Sequence, residues 1–417
     1  MEIARERYIQ KLLARKENGL VKVITGIKRC GKSYLLFRLY KNKLLNMGTS
    51  ADHIIELALD DIANMKYRDA VQLYDYVKSK ITDTDVHYVF LDEIQLLKSN
   101  FVDLVNGLLH IENLDIYVTG SNSRFLSSDI LTEFRGRGDE IRVFPLSFSE
   151  FVTAYDDIRT AWKDYYTYGG LPLILSRKSD ELKAEYLISL FQNIYLNDIK
   201  ERNNIRTDDE LEILVDMIAS AIGSLTNPTR LSNAFKSMSQ KTLSDKTIKL
   251  YLDHLADAFL IEKAVRFNVK GKKYIDSPAK YYFEDVGLRN ARLNFRQQEE
   301  NHIMENIIYI ELRSRGYRVD VGVVEIQESN HTGKSKRKQL EIDFIANKGN
   351  RKFYIQSAFE MSSPAKIEQE KTSLNKLTDS FKKFIIVKDD IKTSIDESGL
   401  ITMGIYDFLL NENSLDI

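Results

Sequence analysis

Along the first third of the chain, short unbroken apolar runs alternate with longer stretches whose apolar residues fall three and four apart. The runs LVKVITG (20–26), HIIELAL (53–59), VHYVFLD (86–92), LDIYVTG (114–120) and IRVFPL (141–146) predict five strands. The segments between them, such as KSYLLFRLYKNKLLNMG, predict helices. Strands that are apolar on both faces and separated by helices belong to a parallel sheet covered on both sides. Such a sheet places a ligand at the carboxyl ends of its strands.

The pattern then changes. Residues 149–210 predict aromatic-rich helices, interrupted at Gly169-Gly170-Leu171-Pro172. Residues 211–292 predict three helices followed by a basic hairpin, the outline of a winged helix. Residues 293–417 predict a helix (HIMENIIYIELRSRG) and strands VDVGVVEI, LEIDFIA, KFYIQSAF and KKFIIVK, a separate small α/β unit. With 1–148 as the first unit, four segments are expected in 417 residues, a length that exceeds one compact core.

Composition narrows the function classes. The 60 basic and 61 acidic residues nearly cancel, so contact with nucleic acid needs a local basic face. The one cysteine, Cys30, has no internal disulfide partner and fits a reducing compartment. No window approaches the roughly 18 continuous apolar residues of a membrane span, and the N-terminus reads as a charged amphipathic helix. A soluble, cytoplasmic protein is the expectation.

The stretch Gly26-Ile27-Lys28-Arg29-Cys30-Gly31-Lys32-Ser33, followed by Tyr34, has the spacing G-x-x-x-x-G-K-S between a strand and a helix. The glycines let the backbone turn and aim N–H groups at phosphate oxygens, and the helix start favours the same anion. Lys32 is expected on the β- and γ-phosphates of ATP, and Ser33 on Mg2+. Asp92 and Glu93 close a buried strand, where two acids are costly without a cation. Asp92 is therefore read as a second Mg2+ position and Glu93 as the residue that orients or deprotonates the attacking water. Thr119-Gly120-Ser121-Asn122 ends the fourth strand, and Asn122 is the candidate γ-phosphate sensor. Arg135 and Arg137 are candidates for an arginine finger in a homo-oligomer, or for surface pairing with Asp139 or Glu140.

The ordered set GIKRCGKS, VFLDEIQ, YVTGSNS, RGRGDEIRVFPLSFSEF and YGGLP resembles the bacterial and archaeal AAA-type P-loop ATPases that carry a C-terminal domain of unknown function. The resemblance implies a P-loop core, a helical lid holding Tyr168 to Pro172, a winged helix and a C-terminal fold like the PD-(D/E)xK nucleases. Asp343 matches an acidic position of that nuclease motif and Glu305 on the preceding helix offers a further ligand, but Gln356 and Ala358 stand where an acid and a lysine belong. An amide binds magnesium weakly and a methyl group stabilises no charge. A catalytically degenerate unit is expected unless Lys348, Lys352 or Lys366 has moved into the site.

Basic residues gather in the winged-helix segment, with Lys246 and Lys249 on its helices and Lys270, Lys272, Lys273 and Lys280 in its hairpin. They suggest DNA as a partner. The leading expectation is an ATP-driven switch or motor acting on DNA. An ATP-gated protein-interaction module and an ATP-regulated, magnesium-dependent nuclease are the rivals.

Overall fold

The computed structural model describes residues 2–97, 101–120, 136–205, 208–239, 241–329, 335–360 and 363–417. Its contacts divide the chain into two units. One comprises residues 1–145 with 257–259, the other 146–256 with 260–417.

The first unit is built on a five-stranded parallel sheet. Its strands are β1 (Val21–Thr25), β2 (Ile54–Ala58), β3 (His87–Asp92), β4 (Leu114–Thr119) and β5 (Gly138–Arg142), in the order β2-β3-β4-β1-β5. Every residue of β1 and β3 is buried, which is why both faces read as apolar in the sequence. Leu73, Val77, Leu104 and Leu108, from helices Ala70–Ser79 and Phe101–Leu109, pack with Val23, Val89 and Ile116 of the strands. Lys22 breaks the apolar run and is tolerated because its ammonium pairs with buried Asp115.

The fifth strand differs from expectation. It covers 138–142 rather than 141–146, pairing Val21 with Gly138 and Thr25 with Arg142. An edge strand has one neighbour, so it carries Asp139, Glu140 and Arg142, and the apolar run that signals a central strand lies beyond it.

The second unit holds an eight-stranded mixed sheet. Its strands are β6 (Ile261–Asn268), β7 (Lys273–Phe283), β8 (Arg318–Ser329), β9 (Ser335–Lys348), β10 (Arg351–Ala358), β11 (Lys382–Val387), β12 (Ser394–Ile395) and β13 (Leu400–Gly404). They run in the order β12-β13-β11-β10-β9-β8-β6-β7. Helices Asp208–Ser220, Pro228–Ser239 and Asp245–Asp257 precede the β6–β7 hairpin. The hairpin is not a free wing, however. Arg266, Phe267 and Asn268 of β6 pair in parallel with Val321, Gly322 and Val323 of β8. A single sheet therefore crosses the boundary placed at 292/293, because the open edge of β6 satisfies its hydrogen bonds on β8.

The segment 149–210, expected as a lid, packs inside this second unit. Phe148 and Trp162 join Ile303, Ile307, Phe344 and Phe408 in one core. The Tyr168–Pro172 turn is fixed by Asp285, which caps helix Val286–Arg292. Its carboxylate accepts from Gly170 N–H (2.8 Å) and Leu288 N–H (3.1 Å). Gly169 has φ +74°, and a β-carbon there would fall 2.1 Å from the same carboxylate. Burial pushes Asp285 up to about 6 despite these hydrogen bonds.

Candidate functional site

At the carboxyl end of β1 the chain leaves the sheet through Gly26, whose φ is +139°. A β-carbon on Gly26 would lie 2.0 Å from the Val143 carbonyl oxygen, so no side chain fits. Arg29 (φ +65°) and Gly31 (φ +96°) are left-handed as well, and these reversals curl 26–31 into a loop that opens a helix at Lys32. Ile27 and Cys30 are buried, Lys28 and Ser33 are half-buried, and Arg29 and Tyr34 are exposed. Lys32 is buried, and its ammonium donates to the carbonyls of Gly26 (2.8 Å) and Ile27 (3.0 Å), inside the loop.

The N-terminal helix Glu6–Leu13 holds this loop from behind. Arg5, just before it, donates to the Cys30 carbonyl (3.2 Å) and the Phe144 carbonyl (2.7 Å), while Phe144 N–H donates to Tyr8 Oη (3.0 Å). Sequence reading gave Arg5 and Tyr8 no role. Their three-residue spacing places them on one helical face, a signal that amphipathicity alone does not separate from core packing.

The strand order sets β4 beside β1 and β3 beyond β4, so in this parallel sheet the carboxyl ends of both lie on the side of the loop. Asp92 ends β3, is 4% exposed, and accepts from the Thr119 hydroxyl on β4. The chain turns sharply at Glu93 (φ +52°), whose N–H donates to Thr119 Oγ1 (3.1 Å). The Gln95 amide donates to the Glu93 carboxylate. Burial raises Glu93 above the usual carboxyl range and Asp92 adds to the rise, while Lys32 opposes it. Thr119, weighed in the sequence as a strand-end polar group, thus holds the Asp92 carboxylate and the backbone of Glu93.

Asn122 and Arg135 lie outside the described residues. Arg137 is described and exposed, and its carbonyl accepts from Val21 N–H (2.9 Å). Arg15 binds Asp139 at 2.9 Å, and Thr25 donates to Glu140 at 2.7 Å.

A second constellation lies in the second unit. Glu305 comes from helix Glu300–Ser314, Glu341 and Asp343 from β9, and Gln356 and buried Ala358 from β10. The cation among them is Lys280 of β7. Its ammonium is 2.8 Å from Glu305, 2.8 Å from Glu341 and 3.4 Å from Asp343. Tyr282 donates to Glu305 (2.6 Å) and Ser357 N–H to Asp343 (2.9 Å). Burial alone would lower Lys280, but the three carboxylates outweigh it and raise its affinity for the proton. Burial and then Glu305 push Asp343 up to about 7.

Two expectations are corrected by this arrangement. Lys280 is 3% exposed and belongs to no surface basic face. Nor do the other lysines reach the acids: Lys348 donates to the Arg315 carbonyl (2.7 Å), Lys352 lies over the Phe381 ring (4.8 Å) and Lys366 pairs with Glu360 (3.5 Å). A lysine inside the run AKYYF, buried residue after residue, was the available signal. Lys246, Lys249, Lys270, Lys272 and Lys273 are exposed.

Comparison with known proteins shows that residues 18–152 match the family model of an AAA domain and residues 159–299 that of a domain of unknown function. An uncharacterised protein of Haemophilus influenzae is 34% identical over 416 residues, which are 98% of each chain. An uncharacterised protein of Methanocaldococcus jannaschii is 28% identical over 365 residues, 83% of this chain and 76% of that one. The solved structure of the Aeropyrum pernix Orc1 protein in complex with DNA aligns over 70% of this chain and 92% of that one, at 12% identity and a TM-score of 0.29, too slight a likeness to bear on function. Among the described residues, no helix is long and apolar enough to cross a membrane.

Proposed function

The chain carries an AAA domain of the P-loop ATPase kind over residues 18–152 and belongs to one family with the uncharacterised Haemophilus influenzae protein, and from that premise we propose that it binds ATP with magnesium and hydrolyses it to switch conformation. The observation that carries the reading is the buried Lys32 ammonium inside the Gly26–Gly31 loop, with Asp92, Glu93 and Thr119 at the adjoining strand ends.

The residues fit the nucleotide phosphates and their metal. The loop excludes side chains at Gly26, and Lys32 has two carbonyl partners that it can exchange for phosphate oxygens. Ser33 and Asp92 are the residues to hold magnesium, which neutralises phosphate charge when bound. Thr119 orients Asp92, and Glu93, raised above the ordinary carboxyl range, is the residue to orient or deprotonate water.

Lys32→Ala should abolish ATP binding. Glu93→Gln should retain binding and lose turnover; rapid hydrolysis by that variant sinks the assignment. Arg137 is the described candidate for an arginine supplied to a second copy, which predicts a specific ATPase rate that climbs with protein concentration.

We infer DNA as the partner, contacted through exposed Lys246, Lys249, Lys270, Lys272 and Lys273. Retention on DNA should fall steeply with salt. Retention that is absent at low salt moves the function to an ATP-gated protein-interaction module. The nuclease-like unit acts on this reading as a binding module, because the Lys280 ammonium sits at the centre of the carboxylates. Magnesium-dependent plasmid cleavage that disappears in Asp343→Ala overturns that part.

A further inference from the structure

At the amino end of the five-stranded sheet, away from the phosphate loop, two histidines and an aspartate converge. Ile54 of β2 is in register with Tyr88 of β3, so the residues just before them, His53 and His87, stand side by side. Their ring centroids are 4.4 Å apart at 36°. Asp83, in the loop leading to β3, places Oδ2 3.0 Å from His53 Nε2. One ligand atom from each of the three lies within 4.8 Å of the others.

The supporting contacts point those atoms inward. His87 Nδ1 faces the Asp85 carbonyl at 2.9 Å, which fixes the proton on Nδ1 and leaves Nε2 a lone pair. That lone pair meets the Thr82 N–H at 3.3 Å and faces the Thr82 hydroxyl at 3.4 Å, both longer than ordinary hydrogen bonds. Asp83 Oδ1 accepts from Asp85 N–H (2.9 Å), leaving Oδ2 for a ligand role. The loop is itself pinned: the Asn113 side chain donates to the carbonyls of Asp83 (3.0 Å) and Asp85 (3.1 Å), and His87 N–H donates to the Asn113 carbonyl (2.8 Å). A histidine that gives its second ring N–H to a backbone carbonyl is the usual outer arrangement of a metal-bound imidazole.

We propose that His53, Asp83 and His87 bind a late first-row divalent transition ion of the zinc class. Two imidazoles and one carboxylate are a donor set that selects such ions over magnesium or calcium. A tetrahedron with bonds of about 2.1 Å needs donors about 3.4 Å apart, so donors now within 4.8 Å of one another must draw together, and half-exposed Asp83 has room to do so. Solvent supplies the fourth ligand on the Asp83 side. The ion joins the starts of β2 and β3 and is separate from any magnesium at Ser33 and Asp92. The proposal does not depend on the ATPase reading.

The test uses the full chain, nucleotide-free and without a polyhistidine tag, titrated with Co2+ followed by visible absorption and with Zn2+ followed by melting temperature. The expected result is one equivalent of Co2+ bound, competed by Zn2+, with His53→Gln and Asp83→Asn each weakening binding by about tenfold or more. Asp83→Asn retains the oxygen that accepts from Asp85 N–H, so its fold and its basal ATPase rate should be unchanged. Failure to bind one saturable equivalent, or binding that survives unweakened in both variants, overturns the proposal.

Discussion

Replacing Lys280 by methionine keeps the aliphatic stem and removes the ammonium that faces Glu305, Glu341 and Asp343. Glu341 is 37% exposed, so water screens it and it is left out of the reckoning. Glu305 and Asp343 are buried, at 11% and 10% side-chain exposure. Removing one partner of a buried ion pair leaves uncompensated charge and typically costs about 3–5 kcal/mol. For a unit of this size that corresponds to a fall in melting temperature of about 6–20 °C.

The loss must also depend on pH. Asp343 is already raised to about 7 by burial and by Glu305, and Glu305, whose burial is opposed by the Lys280 charge, binds its proton more tightly once the ammonium is gone. Stability from such groups is present at low pH and lost as pH rises through the folded value, by about 1.4 kcal/mol per pH unit and proton. The deficit of Lys280→Met should therefore be largest near pH 8 and shrink towards pH 5. The chain's single tryptophan, Trp162, lies in the core of the same unit and reports its unfolding by fluorescence. A loss below about 1 kcal/mol at pH 8, or a loss that ignores pH, refutes the reasoning.

Two further variants probe the supports of each unit. Asp285→Asn offers one acceptor where Gly170 and Leu288 N–H groups need two, and should destabilise by about 1–3 kcal/mol at pH 7. Since Asp285 is raised from 3.8 to about 6, its contribution is fully present below 3.8 and lost as pH rises through about 6; the gap between wild type and variant should widen on acidification from pH 7 to pH 4, read by urea unfolding. Arg5→Met removes both hydrogen bonds behind the phosphate loop and should destabilise the first unit by about 1.5–3 kcal/mol. It should also weaken ATP measured by equilibrium binding, and an unchanged affinity in a folded variant would show that the clamp serves stability only.

The phosphate loop and the strand ending in Asp92 were legible because each obeys a local rule. Gly26 and Gly31 have conformations that few other residues adopt, and β1 and β3 are buried on both faces over five and six residues. What escaped depends on contacts between distant positions. The shift of β5 follows from its place at the sheet edge, which no local pattern marks. The β6–β8 pairing joins Arg266 to Val321, and hydrophobic alternation does not say which partner a strand chooses. Lys280 looked like a member of a basic surface because lysine usually is one, and its burial is set by acids 25 and 63 residues away. Arg5 is similar: its carbonyl partners lie 25 and 139 residues along the chain.

The second unit closes on itself through its two ends. Phe148, near its start, stacks on Tyr406 with ring centroids 6.1 Å apart, and Trp162 meets the same ring at 6.2 Å. During translation at about 5–20 residues per second, Phe148 and Trp162 wait some tens of seconds for Tyr406 to be made. Through that interval an aromatic surface is uncovered on the ribosome-bound chain, exposed to capture by other nascent chains or by holding factors. A premature stop shortly before residue 405 would remove the Tyr406 ring that Phe148 and Trp162 pack against.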